Sequence, residues 1–249
     1  MKLTKRLTVL AEYVNKPYAS IWDCCCDHGF LGMALLQSEH AQQVHFVDCI
    51  PSITDKLTAR LAENFPSSEN YFVHNIDVKN LPLELLSTAQ ESATSQDNPL
   101  DVLQQPHLII ISGVGGELTL ELVQYLTEKF SDLNLEFLIC PVRHTYLLRQ
   151  GLKKTRLRLM NETLVQENRR FYEILHLANY HQPTIETYDL EGCGSKLWQP
   201  FGHEQISYLE NQISHWERVL NNTQLESSKY KVAQSSLREY QLIKVANTL

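Results

Sequence analysis

The chain has 249 residues, of which 43% are hydrophobic, and a net charge of −7. This length is enough for one sizeable α/β domain with an appendage. No apolar run reaches about 18 residues, so the sequence predicts no membrane-spanning helix. At the start of the chain, Leu3, Leu7, Leu10 and Val14 share one face, and charged residues lie opposite. This pattern predicts an amphipathic helix and not a signal peptide.

The six cysteines include three in a row, Cys24, Cys25 and Cys26. Three adjacent residues at a strand end cannot all point the same way, and no CxxC pair occurs. The pattern therefore favours neither a metal site nor a disulfide framework. Free cysteines are typical of a reducing compartment, so we expect a cytoplasmic protein.

The segment Ser20 to Gly32 is the one around which the predicted fold is organised. Ile21 and Trp22 indicate a buried strand that ends at Asp23, and an amphipathic helix begins at Phe30 after a tight turn. A strand-turn-helix of this kind directs backbone N–H groups at the carboxyl edge of a sheet, where an open α/β fold binds its cofactor.

The composition of this turn argues about which cofactor binds. A dinucleotide-binding turn needs three glycines, but this turn contains only Gly29. It also contains two acids, Asp23 and Asp27. Two carboxylates repel a pyrophosphate but suit a ligand with a cationic centre and an ammonium group, and S-adenosylmethionine has both. The alternative is an ordinary strand-to-helix turn of a doubly wound protein.

Two further strands are predicted to end in polar residues. The strand Gln43 to Asp48 ends in an acid about 20 residues past the first turn, where it would hydrogen-bond ribose hydroxyls. The short strand Tyr71 to His74 leads to Asn75 and Asp77, which would contact an adenine edge or serve as turn residues. The polar stretch Gln90 to Gln105 indicates a surface insertion.

The most apolar strand, Leu108 to Ile111, is predicted to be central. It leads into Ser112-Gly113-Val114-Gly115-Gly116, whose three glycines imply either close approach of the backbone to a ligand or unusual dihedral angles. A strand Leu135 to Cys140 and a helix Tyr146 to Lys154 are expected to follow.

A hairpin is predicted to close the β/α series. Leu157 to Val165 and Phe171 to Ala178 have the pattern of two long strands joined by a short turn. The hairpin would give a mixed sheet with one antiparallel strand, the topology expected of Rossmann-type S-adenosylmethionine-dependent enzymes.

The last 70 or so residues indicate an irregular linker and two helices. Apolar residues fall at helical spacing at Ile206, Leu209, Ile213, Trp216 and Leu220, and again at Tyr230, Ala233, Leu237 and Tyr240. We expect an antiparallel hairpin whose stripes cover each other and the sheet domain. The alternative is a partner-binding role.

Positive charge is concentrated in one segment. From Arg143 to Arg170 there are eight Lys/Arg and two Glu, a charge of +6, whereas the rest of the chain carries −13. Such a surface on an acidic protein can bind phosphates, and the alternative is a solvated face.

With these residues in place, the chain resembles the bacterial tRNA (adenine(22)-N(1))-methyltransferase family of the TrmK type over nearly its whole length. The matching segments are Leu3-Thr4-Lys5-Arg6-Leu7, Asp23-Cys24-Cys25-Cys26-Asp27-His28, Ser112-Gly113-Val114-Gly115-Gly116 and Tyr172-Glu173-Ile174-Leu175. The resemblance implies a Rossmann-like class I S-adenosylmethionine-dependent methyltransferase fold, α/β with an antiparallel last strand, over residues 1–180. Residues 181–249 would form the linker and a coiled-coil-like helical hairpin.

The resemblance also implies a reaction, methylation of the ring nitrogen N(1) of an adenosine in tRNA. Asp27 would accept a hydrogen bond from the exocyclic amine as positive charge develops on the base, and His28 would orient Asp27 or stack on the base. The alternative for Asp27 is a helix N-terminal acid. The residues expected to hold the cofactor are Asp23, Cys24, Cys25, Gly29, Asp48, Cys49, Asn75, Asp77, Ser112, Gly113, Val114, Gly115 and Gly116.

Contacts to tRNA are expected from the basic segment and the first helix. The residues are Arg6, Arg143, Arg149, Lys153 and Lys154, of which the last three lie on a helix predicted to occupy an outer face. No membrane contact and no obligate protein partner are expected.

Two positions depart from the family pattern. Cys25 replaces a glycine, which adds a side chain where backbone would face the cofactor, and Val142 replaces an asparagine that would contact a base. These departures leave open a methyltransferase for another RNA, a protein or a small molecule, or an RNA-binding homologue with weakened catalysis.

Overall fold

A computed structural model describes residues 3–38, 40, 42–84, 105–179 and 186–247. The predicted surface insertion at Gln90 to Gln105 lies outside the described residues apart from its last position. No helix in the described ranges is both long and apolar enough to cross a membrane.

One sheet of seven strands forms the centre of the described structure, in the order β3-β2-β1-β4-β5-β7-β6. Strands β1 to β5 are parallel, and β7 is antiparallel to both β5 and β6, which confirms the predicted mixed sheet. The strands are β1 Ser20–Cys24, β2 Val44–Asp48, β3 Tyr71–Asn75, β4 His107–Ser112, β5 Leu135–Cys140, β6 Arg158–Glu167 and β7 Arg170–Ala178.

The helices lie on both faces of the sheet, and the C-terminal pair packs against the β6–β7 hairpin and the helix before it. They are α1 Lys5–Glu12, α2 Phe30–Leu36, α3 Pro51–Asn64, α4 Gly116–Lys129, α5 Thr145–Leu152, α6 His203–Asn221 and α7 Ser228–Ala246, with a short 3₁₀ helix at Val78–Asn80. The helix predicted to run from Tyr146 to Lys154 therefore starts one residue earlier and ends two residues earlier.

The central strands are buried on both faces, because helices cover each side of the sheet. Every residue of β1, β2 and β5 is buried, as their apolar sequences predict. Trp22, Ile109 and Phe137 pack under α4 and α5, whereas Phe46 and Ile110 pack under α1, α2 and α3. This packing brings the carboxyl ends of the parallel strands to one edge.

The β6–β7 hairpin turns through Asn168 and Arg169, which have φ values of 49° and 62°. Two left-handed residues are what a two-residue type I′ turn requires, and this turn matches the right-handed twist of the strands. The turn lies within the predicted Gln166 to Arg170 segment, and the strands extend closer to it than expected.

The C-terminal helices pack on each other and on the sheet domain, as predicted. Tyr208 of α6 and Tyr240 of α7 share a buried cluster with Tyr146 of α5 and Leu164 of β6. Along the predicted stripes, Ile206 is 42% exposed instead of packed. The division into domains at residue 180 stays a prediction.

Arg149 is fully buried, so the prediction that it lies on an outer, tRNA-binding face is wrong. Its Nε donates to Glu173 Oε2 at 2.6 Å, and its Nη2 donates to Glu162 Oε2 at 2.5 Å. Glu173 also accepts from the Tyr208 hydroxyl. The ion pairs join α5 to the β6–β7 hairpin, and the Tyr208 hydrogen bond joins α6 to it.

Candidate functional site

A cavity of about 320 Å³ lies at the carboxyl edge of the sheet, above β1 and β4. Its walls come from α1, the β1–α2 turn, the β4–α4 loop, the β5–α5 loop and β7. The lining residues are Arg6, Leu7, Asp23, Cys25, Cys26, Asp27, His28, Phe30, Leu31, Ser112, Gly113, Val114, Val142 and Tyr172. The structure thus brings together two of the segments singled out in the sequence, the acidic turn and the glycine-containing loop.

The β1–α2 turn has left-handed backbone at Cys25 and Asp27, with φ values of 57° and 46°. Gly29 is also left-handed, at 68°, and a Cβ there would lie 2.4 Å from Leu57 Cδ1. Gly29 therefore allows α2 to pack against α3. It does not line this cavity.

Asp23 forms part of the cavity floor, and only 4% of it is exposed. Its Oδ2 accepts a hydrogen bond from the Gly32 backbone N–H at 2.9 Å. Burial raises the pKa of this carboxyl to about 7, and the Gly32 hydrogen bond opposes the rise. A cation bound in the cavity would therefore favour the ionised form.

Asp27 and His28 lie at the mouth of the cavity, with side chains 68% and 64% exposed. Their Oδ2 and Nε2 atoms are 3.8 Å apart. The N-cap of α2 is Gly29 and not Asp27, so helix capping does not account for this carboxylate. Asp27 is open to a ligand that enters the cavity.

Aromatic side chains that the site prediction did not include form another wall. Phe30 and Tyr172 both line the cavity, and the Arg6 guanidinium lies 4.9 Å from the Tyr172 ring centroid. The Arg6 backbone N–H also donates to Glu167 at 2.9 Å. Arg6 thus belongs to the cavity wall and does not only extend an outer basic surface. The signal for Tyr172 was its place in the hairpin segment that matches the family.

The polar residues at the ends of β2 and β3 lie along the same edge but outside the cavity lining. Asp48 Oδ1 accepts from the Ile50 N–H at 3.0 Å, and Asn75 Nδ2 donates to the Asp48 carbonyl at 3.1 Å. Asp77 caps the 3₁₀ helix through the Lys79 N–H at 2.8 Å, which is the turn role left open for it. Cys49 next to Asp48 is exposed.

The three glycines of the β4–α4 loop have different explanations. Gly113 lines the cavity with φ 87°, and a Cβ there would meet no atom within 4 Å. A Cβ on Gly116 would lie 2.7 Å from the His144 carbonyl oxygen, and one on Gly115 would lie 3.2 Å from Arg143 Nε. Gly115 and Gly116 therefore serve packing against the β5–α5 loop, and neither lines the cavity.

The predicted thiol contacts are also only partly realised. Cys25 lines the cavity, whereas the Cys24 side chain is buried in the core and does not reach the cavity. Burial raises the pKa of Cys25 to about 12 and that of Cys24 well above its ordinary value. Thiols in this state are poor nucleophiles and poor metal ligands at neutral pH. The described residues contain no group of three His, Cys, Asp or Glu that could hold a metal ion.

The basic residues lie at two opposite edges. Arg143 is exposed in the β5–α5 loop, beside the cavity. Lys153 and Lys154 follow the other end of α5, about 12 Å along the helix axis from its start. The Lys153 Nζ lies 3.3 Å from Glu191 Oε2. The structure therefore does not gather the predicted basic surface at the cavity.

Comparison with known proteins assigns the larger part of the chain. Residues 3–175 match the model of a methyltransferase domain. A Mycoplasma genitalium protein described as a candidate tRNA methyltransferase is 24% identical over 197 residues, which cover 78% of each chain.

Solved structures extend the similarity to the C-terminal helices. TrmK from M. capricolum, in complex with S-adenosylhomocysteine, has a TM-score of 0.69 at 20% identity, with 98% of each chain covered. The tRNA m1A22 methyltransferase TrmK of B. subtilis has a TM-score of 0.64 at 16% identity, covering 98% of this chain and 97% of that one. At these identities the likeness establishes the fold.

Proposed function

The chain belongs to the methyltransferase-domain family, and on this premise we propose that it methylates N(1) of an adenosine in tRNA with S-adenosylmethionine as methyl donor. The observation that carries the proposal is the cavity itself. It combines an open carboxylate, Asp27, with the aromatic walls of Phe30 and Tyr172 at the cofactor edge of the sheet. The whole-length fold similarity to TrmK proteins, including the helical hairpin, supports the same conclusion.

The residues at the edge fit S-adenosylmethionine. The buried Asp23 carboxylate suits an ammonium group, and Asp48 at the end of β2 would accept hydrogen bonds from ribose hydroxyls. A Cβ on Gly113 would meet nothing within 4 Å, so the methionine part could pass close to this backbone. Ser112, Val114 and the Cys25 side chain complete the wall. When bound, S-adenosylmethionine supplies an electrophilic methyl group on sulfur.

Asp27 has the main role that the proposal gives to this chain's own residues. The ring nitrogen of adenine already carries a lone pair, so no base is needed to generate the nucleophile. Positive charge appears on the base as the N–C bond forms, and Asp27 would stabilise it by accepting a hydrogen bond from the exocyclic amine. His28, 3.8 Å from Asp27, would hold that carboxylate in position.

The substrate base must leave its stack to reach this cavity. Phe30 and Tyr172 offer faces against which the base can pack, and Arg6 and Arg143 offer positive charge to the adjoining phosphates. Every group in this scheme comes from one chain, so the scheme needs no protein partner, and we infer a cytoplasmic reaction from the proposed tRNA substrate.

Nucleoside mass spectrometry tests the proposal directly. Wild-type enzyme incubated with unmodified tRNA and S-adenosylmethionine should form 1-methyladenosine. Asp27→Asn should lower kcat by about 10²-fold, as for loss of an electrostatic partner in the transition state, with cofactor affinity unchanged. Asp55→Asn, an exposed acid on α3, is the matched control and should retain full activity. Cofactor binding without 1-methyladenosine would overturn the assignment to adenosine N(1).

A second candidate is favoured by Cys25 and Val142, which place a thiol and an isopropyl group on the cavity wall. A methyltransferase for another RNA, a protein or a small molecule, or an RNA-binding homologue with weakened catalysis, would be consistent with these side chains. The same experiment separates them. tRNA binding without turnover identifies the weakened homologue, and turnover only on another substrate identifies a different methyltransferase.

A further inference from the structure

A second cavity, of about 330 Å³, lies between the β5–α5 loop and α6. Val142 lines both this cavity and the one at the cofactor edge, so the two are neighbours with a common wall. The second cavity is rich in rings, including Tyr146, Phe171 and Trp216. Its volume is in the range of small-ligand sites, and flat ring faces suit a nucleobase.

Trp216, which lines this cavity, has an indole N–H whose hydrogen-bonding requirement is unmet. Its indole nitrogen is buried, and no acceptor for its N–H is found in the part of the chain that the structure describes. The ring is held edge-to-face against Tyr146, with centroids 5.6 Å apart. A buried indole N–H normally has a partner, so the site lacks one acceptor. A ring nitrogen or carbonyl of a base supplies one, and the Gln212 amide beside it offers both a donor and an acceptor.

Positive charge lies at the boundary between the two cavities. Arg143 follows Val142, lines the second cavity and is exposed. It also packs beside Gly115, in the loop that forms the first cavity. A phosphate that links one nucleotide in each cavity would meet this guanidinium.

We propose that the second cavity binds a nucleotide next to the target adenosine in the same RNA strand, with its base against Trp216 and Gln212 and its phosphate at Arg143. This inference rests on the proposed function, because it assumes that the target base enters the first cavity. It assigns to α6 a direct contact with the base beside the reacting one.

Two variants and one control test the base contact. Trp216→Phe keeps the ring and removes the N–H, and Gln212→Ala removes the amide. Asn211→Ala removes an amide from the adjacent, exposed position of α6 that does not line the cavity. The first two should weaken tRNA binding by about tenfold, in the range measured for loss of a base contact, and the control should not. S-adenosylmethionine affinity and melting temperature should match wild type in all three.

Abasic tRNA makes the test specific to the neighbouring nucleotide. The test needs two abasic tRNAs, one without the base 5′ of the methylated adenosine and one without the base 3′ of it. Wild type should bind one of these two RNAs about tenfold less tightly than intact tRNA. On that RNA, Gln212→Ala and Trp216→Phe should cause no further loss. Two outcomes would overturn this inference. Either the variants lose the same affinity on intact tRNA and on both abasic RNAs, or neither the variants nor the abasic sites weaken binding. Methylation by wild type would still uphold the proposed function. Absence of 1-methyladenosine with wild type would overturn both.

Discussion

Cys25 combines a side chain with a left-handed backbone, φ 57°, on the wall of the cofactor cavity. A non-glycine residue in this conformation costs roughly 1 kcal/mol relative to its ordinary conformations. We predict that Cys25→Gly tightens S-adenosylmethionine binding severalfold, because the change removes a side chain from the cavity wall. Calorimetry measures this, with Asp55→Asn at an exposed position of α3 as the control. Weaker binding by Cys25→Gly would mean that the thiol contacts the cofactor.

We predict that cofactor binding depends on pH near neutrality, because burial raises the pKa of the Asp23 carboxyl to about 7. The protonated form predominates near pH 6 and the carboxylate near pH 8. Because a bound ammonium group favours the carboxylate, affinity for S-adenosylmethionine should rise about tenfold over this range and level off above it.

Calorimetry with wild type and Asp23→Asn separates this effect from titration of the ligand. The Asn variant keeps an oxygen for the Gly32 N–H and cannot ionise. Its affinity should therefore lack the tenfold rise with pH that wild type shows. Parallel pH profiles for the two proteins would show that Asp23 does not pair with the cofactor.

At the scale of elements, the strands were predictable because buried parallel strands are short apolar runs with polar ends. The bounds of β1, β2, β4 and β5 agree with the predicted ones to within one residue, and those of the hairpin strands to within two. The sequence predicts Arg149 on an outer face because charged residues in a helix are usually exposed, whereas this side chain is fully buried. Its spacing from Tyr146 and Leu152 places it on the buried face of α5, but its partners Glu162 and Glu173 are on other strands, and sequence spacing does not reveal that contact.

The site was predictable to the extent that it is made of strand ends. Asp23, Asp27 and Gly113 line the cavity as expected, because carboxyl ends of parallel strands meet at one edge. Gly29 and Gly116, whose predicted cofactor contact stays a prediction, also pack closely against Leu57 and the His144 carbonyl. A glycine needed for a tertiary contact and one needed for a ligand look alike in a single sequence. Tyr172 was missed because it comes from a strand more than 140 residues away from the turn.

The buried ion pairs of Arg149 predict that replacing this residue strongly lowers the stability of the fold. Arg149→Met would leave Glu162 and Glu173 buried without their cation, which should lower the free energy of unfolding by roughly 3–5 kcal/mol. Lys153→Met, which removes an exposed ion pair at the end of the same helix, should change it by less than about 1 kcal/mol. Urea denaturation measures both. Equal stability of the two variants would contradict a structural role for Arg149.

At the scale of the whole molecule, the helical hairpin is joined to the sheet by polar as well as apolar contacts. Glu162 Oε1 accepts from the backbone N–H groups of Ser195, Lys196 and Leu197, in the segment that leads to α6. Tyr208 donates to Glu173. Residues 1–180 alone would therefore contain two carboxylates that lack part of their hydrogen bonding.

The placement of the basic residues predicts which of them contact tRNA most strongly. Arg143 lies beside both cavities, whereas Lys153 and Lys154 lie past the far end of α5. We expect Arg143→Glu to weaken tRNA binding and to lower the slope of log affinity against log salt by at least one, because fewer counterions are released.

The double charge reversal at Lys153 and Lys154 provides the comparison. That these lysines also bind tRNA stays a prediction, and the same salt titration tests it. An unchanged affinity and slope would make them a solvated face, and a larger effect than that of Arg143→Glu would place the RNA along the opposite edge of the sheet.

The β5–α5 loop, which separates the two cavities, is hydrogen-bonded to the glycine-containing β4–α4 loop. The Val142 N–H donates to the Val114 carbonyl, and the Gly116 N–H donates to the Arg143 carbonyl, both at 2.9 Å. Because these hydrogen bonds join the two loops, we expect ligands on the two sides to be energetically linked. Linkage is reciprocal. If S-adenosylmethionine raises the affinity for tRNA by some factor, tRNA raises the affinity for S-adenosylmethionine by the same factor. The two peptide hydrogen bonds thus join the loops through which such a linkage would pass.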